Sequence, residues 1–143
     1  MNPTVNYQYN DGGRKEAGFV GAAGDCLCRA AAIATRKPYT EIYNLINEVA
    51  KAGKKKSSAR NGVYKQTAKA VLEGRLGLHW KPLMAIGTGC KVHLKSDELP
   101  ETGAFILCLS KHYAAYVDGV LYDTHDSSRD GTRCVYGYWK CPC

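Results

Sequence analysis

Apolar positions recur along this chain with two periods, helical in the first half and alternating in the second. Cys26 to Thr35, CLCRAAAIAT, is rich in strong helix formers and follows Asp25, a favoured N-cap residue, so it predicts a buried helix. Lys37-Pro38-Tyr39 breaks it, and Thr40 is the expected cap of the next. Ile42, Leu45, Ile46 and Val49 then fall at i, i+3, i+4 and i+7, an amphipathic stripe that should end at Gly53 as a C′ residue. A third helix is expected over Val63 to Glu73, burying Val63, Thr67, Ala70 and Val71.

Beyond Gly74 and Gly77 the period changes. Leu78 to Met84 predicts a strand interrupted by Pro82, and Cys90, Val92 and Leu94 alternate as an edge strand does. Gly103 to Leu109 is nearly continuously apolar, the pattern of a central strand buried on both faces. His112 to Val117 and Val120 to Asp123 flank Asp118-Gly119, the dipeptide that best tolerates a type I′ turn, so they predict a β-hairpin. Cys134 to Trp139 is the last expected strand. The first 23 residues, rich in Gly, Asn and Tyr, predict an irregular or short-strand lead-in that packs through Tyr7, Tyr9 and Phe19. With helices first and antiparallel strands second, the expected class is α+β, one domain over residues 1–143.

Composition narrows the setting. The chain is 45% hydrophobic and 23% charged, ordinary for a globular protein, and no apolar run approaches the ~20 residues that span a bilayer. The N-terminal residues do not read as a signal peptide, so a cytosolic location is expected. Seven cysteines, an odd number in a chain above the size of small stapled scaffolds, favour free thiols. The net charge of +7 favours anionic partners, and much of it lies between Lys51 and Arg60. Lys54, Lys55 and Lys56 are the candidate nucleic-acid contacts there, although aromatic residues are not interleaved with the charges as stacking platforms require.

Three residues carry the sharpest chemistry. Cys26 stands in the first turn of its predicted helix, where the positive end of the helix dipole stabilises a thiolate. Asp25 beside it helps only if its charge is directed elsewhere. Cys28 is the rival thiol, but two residues along a helix turn it roughly 200° away, toward the core. The hairpin brings the ends of its strands together, so His112 and Asp123 become neighbours, and a histidine held by a carboxylate is a base positioned to activate a nucleophile. His125 and Asp126 form an alternative acid–base pair in a turn-rich loop. Arg129, Asp130 and Arg133 either lock that loop or contact an anionic substrate. Cys134, Cys141 and Cys143 with His125 offer donors for zinc, but Cys-Pro-Cys lacks the two-residue gap of zinc knuckles, so no metal and no cofactor are expected.

The order of helix-leading cysteine, then histidine opening a strand, then acid closing the next resembles the papain-like cysteine peptidases. His112, Ala115, Gly119, Tyr122 and Asp123 match the H-x-x-A-x-x-x-G-x-x-Y-D pattern of small members of that superfamily. Gly24-Asp25-Cys26, Ser110-Lys111-His112 and the run from Asp126 to Arg133 are also similar to a family of small proteins encoded by bacteriophages and prophages. The resemblance implies a papain-like domain whose N-terminal helices pack on a C-terminal antiparallel sheet, with Cys26 as nucleophile, His112 as general base and Asp123 as orienter. It implies a thiol hydrolase, a peptidase or an amide- or isopeptide-cleaving enzyme acting on a protein or peptide in the host cytosol. Members of the superfamily often carry a glutamine about six positions before the cysteine to complete the oxyanion hole; here that position is Val20. The backbone N–H of Cys26 and the side chains of Gln8 and Asn10 are the remaining oxyanion candidates. Two alternatives stand beside the hydrolase: a decayed papain-like fold that binds nucleic acid or a host protein, and an acyl- or amide-transferring effector with the same triad.

Overall fold

In a computed structural model, residues 5–19, 24–53, 58–59, 65–85 and 87–142 are described. They form three helices and a six-stranded sheet. Strand β1 (Asn6–Tyr9) precedes α1 (Cys26–Thr35), α2 (Tyr39–Ala52) and α3 (Lys65–Lys69), the last running on into a π-helical turn, Ala70–Arg75. Strands β2 (His79–Pro82), β3 (Ala104–Leu109), β4 (His112–Val117), β5 (Val120–Asp123) and β6 (Gly137–Lys140) follow. The spatial order is β1-β5-β4-β3-β6-β2.

The α+β class is as expected, but the sheet is mixed, because β1 pairs parallel with β5 while the other pairs are antiparallel. The sheet therefore begins at the N-terminal side of the helices rather than after them. Strand β3 is buried and central. A two-residue turn at Ser110-Lys111, with Lys111 at φ 54°, folds β4 directly back on it. At the second turn Asp118 and Gly119 adopt φ of 48° and 83°, as a type I′ turn requires. The Asp118 carboxylate accepts from the Gly103 N–H at 2.9 Å, which ties the turn to the start of β3.

Alternation along the strands places two cores on opposite faces of the sheet. On one face Ile106, Ala115 and Trp139 pack under Leu27, Cys28 and Ala31 of α1, Ile42 and Ile46 of α2, and Val71 and Leu72. On the other, Phe105, Leu107, Tyr116, Leu121 and Tyr138 are covered by Leu94, Leu99 and Val135. The alanines of α1 are buried almost all round, so the helix sits close to β4.

Several local expectations are revised. Asp25 precedes α1 but makes no side-chain cap; α2 starts at Tyr39 after Pro38, not behind a Thr40 cap. Gly53 closes α2 at φ −80° rather than as a left-handed C′ residue. Ala70 is exposed while Ala68 and Leu72 are buried, because the π-helical turn shifts the buried face; Val63 lies outside the described residues. Residues 90–94 contribute only a bridge from His93 to Cys134, and β6 starts at Gly137, not Cys134. Tyr9, on edge strand β1, is 64% exposed instead of packed. The expectation of free thiols fails at one pair: Cys90 and Cys134 form a disulfide with their Cα atoms 5.8 Å apart. The reason is the register of two distant loops, in which Leu94 N–H bonds to the Arg133 carbonyl and Val135 N–H to that of Val92.

Candidate active site

Cys26 is the first residue of α1 and is half-buried. The first intrahelical bond runs from Arg29 N–H to the Asp25 carbonyl, so the N–H groups of Cys26, Leu27 and Cys28 have no acceptor within the helix. Asp25, fully buried, is occupied elsewhere: Arg29 pairs with one carboxylate oxygen, while Tyr39 Oη at 2.5 Å and Arg14 Nε at 3.2 Å hold the other. Two guanidiniums thus offset the negative charge that would otherwise oppose a thiolate next door.

His112 opens β4 and Asp123 closes β5. His112 Nε2 lies 2.6 Å from Asp123 Oδ2, with the two side chains 12% and 2% exposed. The same imidazole hydrogen-bonds the Cys26 sulfur. The Tyr113 N–H also meets the sulfur. Burial pushes the thiol up, but the hydrogen bond and charge of His112, the Tyr113 N–H and the Arg29 guanidinium outweigh it and hold the Cys26 pKa below the ordinary range. For His112, burial works against the cation, yet Asp123 and Cys26 together raise its pKa to about 9. Burial likewise raises Asp123, and its bonds from His112, Thr124 and Ser127 bring it below the usual carboxylate range. These directions favour a thiolate–imidazolium pair backed by a carboxylate.

Cys28 faces the other way, its thiol donating to the Tyr39 carbonyl at 3.7 Å and pushed up to about 12 by burial. The chemically distinct thiol of α1 is therefore Cys26.

The loop after β5 is built around Asp123. Ser127 Oγ donates to Asp123 Oδ2 at 2.9 Å, and the Thr124 N–H to Oδ1 at 2.7 Å. Arg133 donates to the carbonyls of Ser127 at 3.4 Å and Ser110 at 2.7 Å, so one guanidinium joins this loop to the turn that delivers His112. Arg133 is buried, which places it in the lock rather than at the surface; Arg129 is exposed. Arg29 reaches Asp123 at 3.7 Å as well as Asp25, bridging α1 to β5. Ser127 and Arg29 are missed by sequence reasoning, whereas Arg133 takes the locking role, one of the two expected of it. The one visible signal for Ser127 is the crowding of Ser, Asp and Arg between Asp126 and Arg133.

The alternative pair His125–Asp126 is not assembled. The Asp126 carboxylate accepts from the Ser128 N–H and hydroxyl, and the exposed His125 ring lies 5.3 Å from that of His112. The zinc alternative also comes apart: Cys134 is in the disulfide and the Cys141 thiol donates to the Ala34 carbonyl, while Cys143 lies outside the described residues. Among the described residues, His112, Asp123 and His125 offer ligand atoms within 4.8 Å of one another, but a cation there would have to displace the His112–Asp123 hydrogen bond.

Of the oxyanion candidates, Gln8 is exposed and level with Tyr122, whereas Asn10 follows the end of β1 with its N–H on the Asp123 carbonyl at 2.9 Å. Asn10 Oδ1 accepts from the Gly12 N–H, which leaves its NH2 as the donating group. Val20 and Lys54, Lys55 and Lys56 lie outside the described residues. No helix among the described residues is long and apolar enough to cross a membrane. No family model, curated protein or solved structure matches the chain.

Proposed function

We propose that this chain is a papain-like thiol hydrolase that cleaves a peptide, amide or isopeptide bond through a thioester. The observation that carries the reading is His112 held between the Cys26 sulfur and the Asp123 carboxylate, with Nε2 2.6 Å from Oδ2. The Cys26 thiolate attacks the scissile carbonyl and forms a C–S bond. The Cys26 N–H at the helix start stabilises the oxyanion, with the Asn10 carboxamide as its partner donor. The His112 imidazolium passes its proton to the departing amine as the C–N bond breaks. Neutral His112 then takes a proton from water, whose oxygen attacks the thioester, releasing the carboxylic acid and the Cys26 thiolate and restoring the thiolate–imidazolium pair. Asp123, fixed by Ser127 and Thr124, holds the imidazole in the tautomer and rotation these steps require.

Competitive labelling tests the reading. With iodoacetamide at neutral pH, peptide mapping should find Cys26 alkylated ahead of Cys28, Cys108 and Cys141, and His112→Ala should slow Cys26 selectively. Uniform labelling of the four thiols, or an unchanged rate in His112→Ala, would count against it.

A further inference from the structure

A cavity of about 240 Å³ is lined by Lys65, Trp80, Met84, Ala85, Cys108 and Tyr136. Strand geometry fixes its relation to the nucleophile. Its Cys108 wall is the direct partner of Tyr113, whose N–H meets the Cys26 sulfur. Directly paired side chains stand on one face of a sheet, about 5 Å apart, and here that face is the one α1 covers. An aromatic row leads the same way: Tyr113 and Trp139 have ring centroids 6.0 Å apart, and Trp139 and Trp80 4.4 Å apart. The far wall is set by a glycine. At Gly137, opposite Cys108 in β6, a Cβ would lie 2.3 Å from the Trp80 ring and 2.8 Å from the Lys81 carbonyl, so the indole comes this close to β6 only because no side chain is there. Walls of Trp80, Met84, Tyr136 and Cys108 suit an apolar group, and the Lys65 ammonium supplies a cation to the lining.

We infer that this cavity is a substrate subsite for Cys26, seating a large apolar, preferably aromatic, side chain next to the scissile carbonyl with a carboxylate turned toward Lys65. The inference rests on the thiol-hydrolase reading and adds the class of substrate: an acidic peptide or amide with a bulky apolar residue near the cleaved bond.

Three reagents test it: iodoacetamide, N-benzyl-iodoacetamide and its para-carboxylate, each mapped for its alkylation rate at Cys26. The benzyl reagent should exceed iodoacetamide by about tenfold, equivalent to about 1.4 kcal/mol, and the carboxylate should add about threefold more. In Ala85→Trp, which places bulk in the cavity from an exposed position, the benzyl-to-iodoacetamide ratio should fall to near one. Lys65→Gln should remove the carboxylate increment alone. Using ratios keeps the result independent of any loss of folded protein. Selective labelling of Cys26 with no benzyl preference, a preference that survives Ala85→Trp, or benzyl labelling diverted to Cys108 would overturn the subsite and leave the hydrolase standing. Failure of iodoacetamide to select Cys26 would overturn both.

Discussion

Replacing Asp123 by Asn keeps the shape of a buried side chain and deletes its charge, so the consequence for His112 can be worked from the structure. The Asp123 carboxylate, 2.6 Å from Nε2, heads the influences that raise His112 from an ordinary 6.5 to about 9 against the opposing effect of burial. At about 1.4 kcal/mol per pH unit, that rise corresponds to about 3 kcal/mol favouring the imidazolium, shared between Asp123 and Cys26. With Asn at position 123 the main raising partner is gone while burial and Cys26 remain, so His112 should titrate clearly below 9. The assay is an NMR titration of the His112 ring in wild type and Asp123→Asn. Global stability is a poorer readout because two linked groups oppose each other. A raised His112 pKa gives stability that is complete below about 6.5 and lost as pH rises through about 9. A depressed Cys26 pKa gives stability present above the ordinary thiol range and lost as pH falls through its folded value. A His112 titration that stays near 9 in Asp123→Asn would refute the assignment of Asp123 as its principal partner.

The remaining predictions are narrower. Ser127→Ala removes a buried donor to Asp123, should cost about 1–2 kcal/mol, and should move acid unfolding, followed by circular dichroism, to higher pH. The sign follows because Asp123 is held below the usual carboxylate range and its contribution disappears as pH falls. Cys28→Ala should leave iodoacetamide labelling of Cys26 intact, since Cys28 is pushed up to about 12 and faces Tyr39; a parallel loss would show that the two thiols act together. Cys90→Ser opens a disulfide that spans 44 residues and should lower stability in urea by about 4 kcal/mol on a chain-entropy model, with the two midpoints coinciding under reducing conditions.

What could be read from the chain is what depends on neighbours in sequence. Asp118-Gly119 carries its own turn preference, so the β4–β5 hairpin and the meeting of His112 with Asp123 follow from residues within a dozen positions of one another. The helix start at Cys26 is equally local. Strand β1 has four residues, most of them exposed, and its partner lies more than a hundred positions away, so no periodicity reveals the parallel pairing that makes the sheet mixed. The disulfide escapes for the same reason, because cysteine number and spacing say nothing about the register of residues 90–94 against 133–135. Asp25 is readable as a cap from its position, but its role is set by Arg14, Arg29 and Tyr39, of which only Arg29 is close in sequence. Arg133 is seen as either lock or contact; what decides for the lock is burial against the Ser110 and Ser127 carbonyls, a property of the folded loop.

The thiolate itself gives the most direct test. Ultraviolet absorbance of the Cys26 thiolate, taken as the difference between wild type and Cys26→Ser across a pH titration, reports its protonation without a substrate. The expected result is a thiolate that forms below the ordinary thiol range and whose titration moves up in His112→Ala. A thiolate that appears only at the ordinary thiol pKa of about 8.5, with or without His112, would contradict the ion pair on which the proposed chemistry depends.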